Sequence, residues 1–482
     1  MVKKTKIVWV YALTVIFLAV NFYLVINKDF YWFFLLPVAL IVLYYYLVSL
    51  DKILLLITFF TPLAVNIRNL DNMGLGVSLP TEPLMFGVLI IFIANLLVSH
   101  KKYDARIASH PVSYVIYLSL FWMLITTFTS AMPVVSLKYL LSRLWFVVPF
   151  YFVAALMFKD KKNIKWFYWL YITAFIGVIF YTISVHARYN FDEETGHWVM
   201  SPFYNDHTAY GAALAMFFPV IVGFIFYPGA KKWTRVISSI VLFIFITAII
   251  LSYSRAAWLS IGAAIIVFIL ILLKIKFRWI FLTVAILVTM FFTFQNQIFD
   301  KLEKNKTESS RNFVEHVESM ANISSDASNL ERINRWQSAL RLFHDRPVFG
   351  WGPGTYQFVY APYQRSKEKT IISTNLGDKG NAHSEYLGPL AEEGLPGTLI
   401  VLLLVGFVIY TGIKIYIKSK NTEVKFLSMM SLLGLVTYFT HGFLNNFLDT
   451  DKLSVPFWGF IAILVALDVY HLTEKEKSHK IV

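Results

Sequence analysis

Three arginines and one histidine in the second half of the chain stand beside long apolar runs. Arg255, in LSYSRAAWLS, lies between two apolar runs with almost no loop separating them. Arg332 and Arg335, in ERINRW, are one helical turn apart and would share a helix face. His383 begins the segment HSEYLGPLAEEGLPG. Guanidinium groups match phosphate oxygens and histidine is a natural base near neutral pH, so these residues predict a site for an anionic ligand and a proton transfer.

Each of these residues also has a structural interpretation. Arg255 could snorkel to a membrane interface. Arg332 and Arg335 could lie on a solvated helix surface, with Glu331 as an ion-pair partner. A single histidine such as His383 is often a hydrogen-bonded packing residue.

Two further polar groups are candidates from residue type alone. Asp449 and Asp451, in DTD, could bind a divalent metal ion through their carboxylates, although two acids at this spacing are common by chance. Asn205, Asp206 and His207, before an apolar run, could line a substrate site or could cap a helix.

Lys138 and Arg143 flank one end of an apolar run and could attract a lipid diphosphate or simply snorkel. Glu385 and Glu393 lie close to His383 in sequence, and we interpret them as solvated residues without a role in the chemistry.

The composition places these residues in a membrane protein. Of the 482 residues, 57% are hydrophobic, 17% aromatic and only 15% charged, which excludes an ordinary soluble domain. The net charge of +14 does not indicate nucleic-acid binding, because the lysines and arginines fall in short connections between apolar runs. The chain has no cysteine, so disulfides and thiol chemistry are excluded.

The apolar runs predict an all-α integral membrane protein, because roughly 20 apolar residues cross a bilayer as a helix. We predict about fourteen spans, the third and fourth of them short: 7–26, 30–50, 53–66, 84–99, 112–130, 139–157, 164–184, 210–226, 236–253, 256–273, 280–294, 396–413, 425–443 and 456–472. With the N-terminus inside, the basic connections alternate onto the cytoplasmic side, so both termini are expected there. No cleavable signal peptide is expected.

The opposite face carries the less basic segments and all the candidate residues. Its largest segment, about 295–395, is expected to be folded and functional because structureless loops of that length are unusual. SNLERINRWQSALRLFHDRP predicts a helix, FGWGPGTYQF a turn, and apolar spacing from His383 to Gly394 a second helix. The chain is divided into N-terminal spans, core spans, the large loop and C-terminal spans with a tail: 1–199, 200–294, 295–395 and 396–482.

Three motifs are similar to those of the O-antigen ligase and polymerase superfamily of bacterial membrane glycosyltransferases. AHSEYLGPLAEEGLPG resembles its H-N-x-Y-L-x-x-L-x-E-x-G-x-x-G signature, with Ser384 where asparagine is usual. SYSRAAWLS resembles its S-R-x-x-x-L segment, and ERINRWQSALRLFHDRPVFGWGPGTYQF resembles its E-R-x-x-x-W … P-x-x-G-x-G-x-x-F stretch. The motifs occur in the family's order within roughly residues 200–465.

The resemblance implies a GT-C-like fold, usually of twelve spans, that moves a glycan from undecaprenyl diphosphate to an acceptor hydroxyl. This transfer would take place at the periplasmic face of the bacterial inner membrane. By the matching positions, Arg255 and Arg332 would bind the diphosphate and His383 would act on the acceptor. Direct attack would invert the anomeric centre, and the family's chemistry needs no metal ion or other cofactor.

Further substrate contacts are expected from five residues, two of which occupy positions of the family signature. Tyr386 and Glu392 are the two signature residues, and Arg335 is the alternative to Arg332. Arg143 and His207 would add contacts from earlier spans.

The acceptor identity stays open between lipid A–core, a lipid-linked repeat unit and a protein side chain, which correspond to a ligase, a polymerase and a protein O-oligosaccharyltransferase. A polysaccharide flippase or exporter also suits fourteen spans. That function predicts charged residues inside several spans, whereas the span interiors are nearly free of charge and the polar residues gather at one face.

Overall fold

A computed structural model describes most of the chain: residues 2–67, 76–98, 103–275, 327–366, 369, 373 and 380–472. The predicted span 280–294 and the first part of the predicted large loop lie outside the described residues.

The described residues are almost entirely helical. Two three-residue strands, β1 (Val65–Ile67) and β2 (Val77–Leu79), form an antiparallel hairpin in which Asn66 pairs with Ser78. Eighteen α-helices follow one another along the described chain: α1 (Val2–Lys28), α2 (Leu36–Val48), α3 (Leu50–Phe60), α4 (Thr81–Val98), α5 (Ala105–Ala108), α6 (Pro111–Phe128), α7 (Pro133–Val147), α8 (Ala154–Met157), α9 (Lys161–Ala187), α10 (Glu193–Gly196), α11 (His207–Ile225), α12 (Lys232–Leu251), α13 (Arg255–Leu272), α14 (Ala327–Asp345), α15 (Tyr356–Val359), α16 (Leu387–Lys418), α17 (Thr422–His441) and α18 (Asp451–Tyr470).

The protein is an all-α multi-pass membrane protein. Ten helices in the described residues are long and apolar enough to cross a bilayer. A π-helical stretch, Val148–Val153, joins α7 and α8 into one such span. The predicted third span, 53–66, is the 11-residue α3 followed by a 3-10 turn, which at 1.5 Å per residue is too short to cross a core of about 30 Å. The number fourteen therefore stays a prediction.

The chain separates into two compact units, residues 1–53 and 54–482. In the first unit, Phe17 of α1 stacks on Phe33 of a 3-10 turn, with ring centroids 5.4 Å apart. All the candidate site residues belong to the second unit.

The centre of the second unit is α18, whose apolar window is 94% buried. A helix that is apolar on every side is expected in such a position, since it has no solvated face. It contacts α11, α16 and α17, and α11 and α17 also pack on α13. These helices bring Arg255, His207 and the end of α17 to one side of the bundle.

A smaller core covers this side of the bundle. Ala339 and Leu342 of α14 pack with Tyr356, Tyr360 and residues of the 380–391 segment. The predicted loop helix is confirmed as α14, and it packs on α16.

The helix α16 is broken at Gly394, whose φ is +71°. A Cβ at this position would lie 2.2 Å from the carbonyl oxygen of Val348, so only glycine fits there. The break allows the preceding turn to hydrogen-bond to the backbone of α16. The Trp351 amide donates to the Ala391 carbonyl at 3.0 Å, and the Leu395 amide donates to the Pro347 carbonyl at 2.8 Å. Glycine at this position therefore allows the preceding turn to approach the helix closely.

Candidate active site

The candidate residues come from distant parts of the sequence. They lie at the starts of α11 and α13, in the first half of α14, at the end of α17 and in the 380–386 segment. His383 interacts electrostatically with Arg332, Arg335 and Asp206, and Asn445 hydrogen-bonds its side chain. We call the group of Arg255, Arg332, His383, His441 and Asn445 the arginine site.

His383 is held in an unusual backbone conformation just before α16. Its φ is +48°, in the left-handed region that β-carbon-bearing residues rarely occupy. Its amide donates to the Asn381 side chain at 3.1 Å, and its carbonyl accepts from the Trp336 indole at 3.4 Å. The predicted helix from His383 is therefore wrong at its start, because these contacts keep His383 outside the helix that begins at Leu387.

The ring of His383 is neutral at pH 7. Burial and the charges of Arg335 and Arg332 together lower the pKa of His383 to about 4, against the opposing charge of Asp206. A neutral imidazole can accept a proton, which a base requires.

His441 and Asn445 belong to the site but were missed in the sequence. His441 ends α17, and its Nε2 atom lies 3.2 Å from the Asn445 side-chain nitrogen. His441 also interacts with Arg332 and with the backbone of Ala256, so it links the N-terminus of α13 to the His383 segment. The sequence signal that could have identified them is a histidine and an asparagine four residues apart, directly after an apolar run.

Arg335 and Arg332 occupy different environments although they share a helix. Arg335 is 7% exposed, donates from Nε to Glu331 at 2.8 Å and from a terminal nitrogen to the Asn381 carbonyl at 3.1 Å. The pKa of Glu331 is lowered, since hydrogen bonds from Ser373 and Arg335 outweigh its burial. The guanidinium of Arg335 therefore holds the 380–386 segment, which leaves Arg332 as the better candidate for ligand binding.

Arg255 is the first residue of α13 and follows the tight turn that the sequence predicted. The preceding Ser254 makes no side-chain cap, and within the described residues its buried hydroxyl has no hydrogen-bond partner. An uncapped helix N-terminus presents backbone N–H groups and a positive dipole end. Together with Arg255, it provides a favourable environment for an anion.

At the start of α11, the helix-cap interpretation is confirmed for Asp206. Its carboxylate accepts from the amides of Thr208 and Ala209, both at 2.8 Å. His207 stacks on His197 with ring centroids 4.2 Å apart. The charge of Asp206 reaches His383, whereas a substrate contact by His207 stays a prediction.

A cavity of about 640 Å³ lies beside the same segment, and Asn381, Ala382, Ser384 and Glu385 contribute to its wall. We call it the carboxylate cavity because its lining includes five acidic side chains and two basic ones: Glu82, Glu385, Glu392, Glu393 and Asp449, with Lys138 and Arg143.

Glu385 and Glu393 are not solvated, and that interpretation was wrong. The Glu385 carboxylate accepts from the Tyr438 hydroxyl at 2.6 Å and from the amides of Phe447 and Leu448 at 2.8 and 3.1 Å. Glu393 is only 7% exposed. Sequence spacing does not reveal such burial, because it results from packing against α17 and the loop that follows it.

The two signature residues Tyr386 and Glu392 have internal partners. Tyr386 donates to the Phe439 carbonyl at 2.9 Å. The Glu392 carboxylate accepts from the amides of Gly354 and Tyr356, both at 2.9 Å, and so fixes the turn against α16. Both line the cavity, and direct substrate contacts by them stay predictions.

Arg143 also reaches the cavity from α7. It donates to the Tyr139 hydroxyl at 2.7 Å and to the Leu448 carbonyl at 3.2 Å. A substrate contact by its remaining N–H groups stays a prediction.

The aspartates of DTD are separated by their environments. Asp451 is 1% exposed and accepts from the Thr81 hydroxyl at 2.5 Å. Asp449 lines the cavity, and burial followed by the charge of Glu385 raises the pKa of Asp449 to about 6. Among the residues that the structure describes, no group of three histidine or acidic side chains is arranged to hold a metal ion.

Comparison with known proteins agrees with this arrangement. Residues 240–402, which include Arg255, Arg332 and His383, match the family model described as O-antigen ligase. This match supports the resemblance to the O-antigen ligase superfamily that the sequence motifs indicate. For the matched family, the description implies a glycosyltransferase-like enzyme that acts on lipid-linked glycans at the bilayer.

A curated relative adds sequence similarity without a function. An uncharacterized protein of Haemophilus influenzae is 28% identical over 112 residues, which are 23% of this chain and 26% of the relative. The match therefore spans about a quarter of that protein's length.

Proposed function

We propose that this O-antigen ligase-family protein transfers a glycan from undecaprenyl diphosphate to an acceptor hydroxyl, with lipid A–core as the first candidate acceptor. The transfer would take place at the periplasmic face of the inner membrane, with both termini in the cytoplasm.

The observation that supports this proposal is that Arg332 interacts with both His383 and His441, and that His441 also interacts with the backbone at the start of α13. A diphosphate leaving group accumulates negative charge as its bond to the sugar breaks, and guanidinium groups stabilise that charge through paired hydrogen bonds. Arg332 supplies one such group, and Arg255, the first residue of the uncapped α13, would supply a second. His383 supplies a base within the same group of residues.

The reaction balances with these residues alone. The acceptor hydroxyl oxygen forms a bond to the anomeric carbon, the bond from that carbon to the phosphate oxygen breaks, and the diphosphate leaves as an anion. The hydroxyl proton passes to the imidazole of His383. Attack from the side opposite the diphosphate inverts the anomeric centre.

The low pKa of His383 suits the free enzyme and changes with the ligand. Burial keeps the ring neutral, and the charges of Arg335 and Arg332 disfavour its protonation. A bound diphosphate would neutralise part of that positive charge. The pKa of His383 would then rise when the donor is bound, which makes the ring a stronger base when the reaction requires it.

A lipid-linked repeat unit or a protein side chain is the alternative acceptor, which would make the protein a polymerase or a protein O-oligosaccharyltransferase. A flippase is disfavoured, because the described spans concentrate their charged side chains near their ends and at the outer site.

Reconstitution in proteoliposomes tests the proposal. The full chain is supplied with labelled undecaprenyl-diphosphate glycan and with each of the three acceptor classes, with and without a chelator. We expect transfer to one class, with an inverted linkage and no effect of the chelator. Movement of the labelled lipid across the bilayer without any transfer would contradict the proposal and favour a flippase.

A further inference from the structure

The carboxylate cavity is a second compartment beside the His383 segment. Its wall includes Asn381, Ala382, Ser384 and Glu385, the neighbours of His383 on both sides, but not His383 itself. The ring of His383 instead interacts with Arg332 and Asn445. One short segment therefore separates the cavity from the arginine site.

Glu393 is the feature of this cavity that the protein's own contacts leave unexplained. Its carboxylate lies in the cavity wall and its side chain is 93% buried, yet within the described residues it accepts no hydrogen bond. By contrast, the neighbouring carboxylates of Glu385 and Glu392 each accept from backbone amides. A buried carboxylate without donors is costly, so this position favours a ligand that supplies them.

The charge of the cavity indicates which ligand. Five acidic side chains against two basic ones disfavour a diphosphate, whose own charge is negative. A sugar is neutral and rich in hydroxyl groups, which can donate hydrogen bonds to the oxygens of a carboxyl side chain. Gln357, which lines the cavity from α15, adds a side-chain amide that can both donate and accept.

The apolar part of the lining indicates what the sugar is attached to. Beside the polar groups, apolar side chains of α16, α17 and α18 line the cavity, among them Leu404, Phe439 and Trp458. A cavity lined by both polar and apolar groups fits an amphiphilic molecule.

We propose that the carboxylate cavity binds the acceptor as a glycolipid, with Glu393 and Gln357 contacting the hydroxyl groups of its glycan. This inference rests on the proposed function. It places donor and acceptor on opposite sides of the 380–386 segment, and it assigns recognition of the acceptor to residues that do not touch the diphosphate.

Two-substrate kinetics of Glu393→Gln test the assignment. Wild-type and variant chains in proteoliposomes receive labelled undecaprenyl-diphosphate glycan as donor and rough lipopolysaccharide, which carries lipid A–core, as acceptor. We expect the KM for the acceptor to rise about tenfold or more, because the hydrogen bond between the Glu393 carboxyl group and a sugar hydroxyl is lost. The KM for the donor should stay within twofold. Glu194→Gln, which changes an exposed carboxylate of the short helix α10, is the matched control and should change neither constant.

Gln357→Ala provides a second variant on a different helix, so a folding defect near Glu393 does not decide the outcome. It should also raise the KM for the acceptor and leave the KM for the donor unchanged. An unchanged acceptor KM in both variants, or an equal rise in the donor KM, would overturn the assignment.

Direct binding separates this inference from the proposed function. Tritium-labelled rough lipopolysaccharide is titrated into the protein in nanodiscs without donor. Binding by the wild type that weakens tenfold in Glu393→Gln supports the cavity even if no transfer occurs. Absence of wild-type binding, or equal binding by the variant, overturns the cavity assignment.

Discussion

The arginine site and the carboxylate cavity lie beside the same seven-residue segment, yet their electrostatics are opposite. The arginine site contains Arg255 at an uncapped helix N-terminus and Arg332 beside His383 and His441, with Asp206 as its nearby acid. The cavity collects five carboxylates against two basic side chains. The first environment favours an anionic diphosphate and the second favours a neutral, hydroxyl-rich sugar.

This difference explains why His383 is held so firmly between them. Its amide, its carbonyl and its ring are each hydrogen-bonded, to Asn381, Trp336 and Asn445. A base that takes a proton from the acceptor while the donor bond breaks must reach both substrates. Fixing its backbone in the left-handed conformation is one way to hold that position.

Replacing the two arginines of the arginine site should have the largest effect on turnover. Arg332→Ala and Arg255→Ala should each lower turnover by about 10²–10³-fold, because each removes a group that stabilises the leaving diphosphate. Turnover is measured in proteoliposomes, with protein amount and monodispersity checked in detergent.

The matched control is Arg188→Ala, which removes an exposed arginine at the end of α9. It should leave turnover within twofold. An equal loss in the control, or full activity in both site variants, would show that the arginine site does not carry the reaction.

Gly394→Ala should disturb both compartments together, because the break in α16 holds the turn and the segment in place. The added methyl group would meet the Val348 carbonyl, and alanine at a φ of +71° costs about 1–3 kcal/mol besides. We expect a lower melting temperature and a loss of turnover with either substrate varied.

Gly406→Ala is the control for this variant, since it lies in the same helix and a Cβ there meets no atom within 4 Å. It should preserve the melting temperature or raise it, because alanine favours a helix by about 1 kcal/mol over glycine. Equal destabilisation by the two changes would contradict the assigned role of the helix break.

Adjacent carboxylates of α16 should differ in what they do for stability. Glu392→Gln weakens two hydrogen bonds from backbone amides, and we expect a loss of about 1.5–3 kcal/mol. Glu393→Gln replaces a buried carboxyl group that accepts no hydrogen bond within the described residues, so stability should stay unchanged or rise. Thermal unfolding of the two variants at pH 7 decides the matter, and a larger loss in Glu393→Gln would exclude a ligand-binding role for its carboxylate.

The smallest expected effect is on the pH profile. The pKa of His383 is lowered to about 4, so the neutral, proton-accepting ring persists well below the ordinary value of 6.5 and is lost only as pH falls through about 4. The kcat/KM of the wild type, which reports the free enzyme, should therefore be flat across pH 6.5. An inflection near pH 6.5 would show that the ring is not buried as described.

Sequence patterns predicted the parts of this protein that depend on local spacing. The helix α14 follows from the apolar periodicity of SNLERINRWQSALRLF, and the turn before Arg255 follows from the lack of a loop between two apolar runs. Arg332, Arg255 and His383 were identified because charged side chains beside apolar runs are costly and need a reason.

The missed features all depend on contacts between distant residues. The internal contacts of Glu385 depend on Tyr438 and on the amides of Phe447 and Leu448. The place of His441 depends on the approach of α13 to α17. The helix α3, about half as long as a spanning helix, ends where the buried Lys452 ammonium donates to the carbonyls of Thr61 and Ala64. Lys452 is too far from these residues in the sequence for a local pattern to predict the contact.

Equilibrium binding of unglycosylated undecaprenyl diphosphate to the protein in nanodiscs tests the central claim most directly. The division of the two substrates predicts that Arg332→Ala weakens this binding at least tenfold, while Glu393→Gln binds as the wild type does. Loss of diphosphate binding in Glu393→Gln, or wild-type binding by Arg332→Ala, would contradict it.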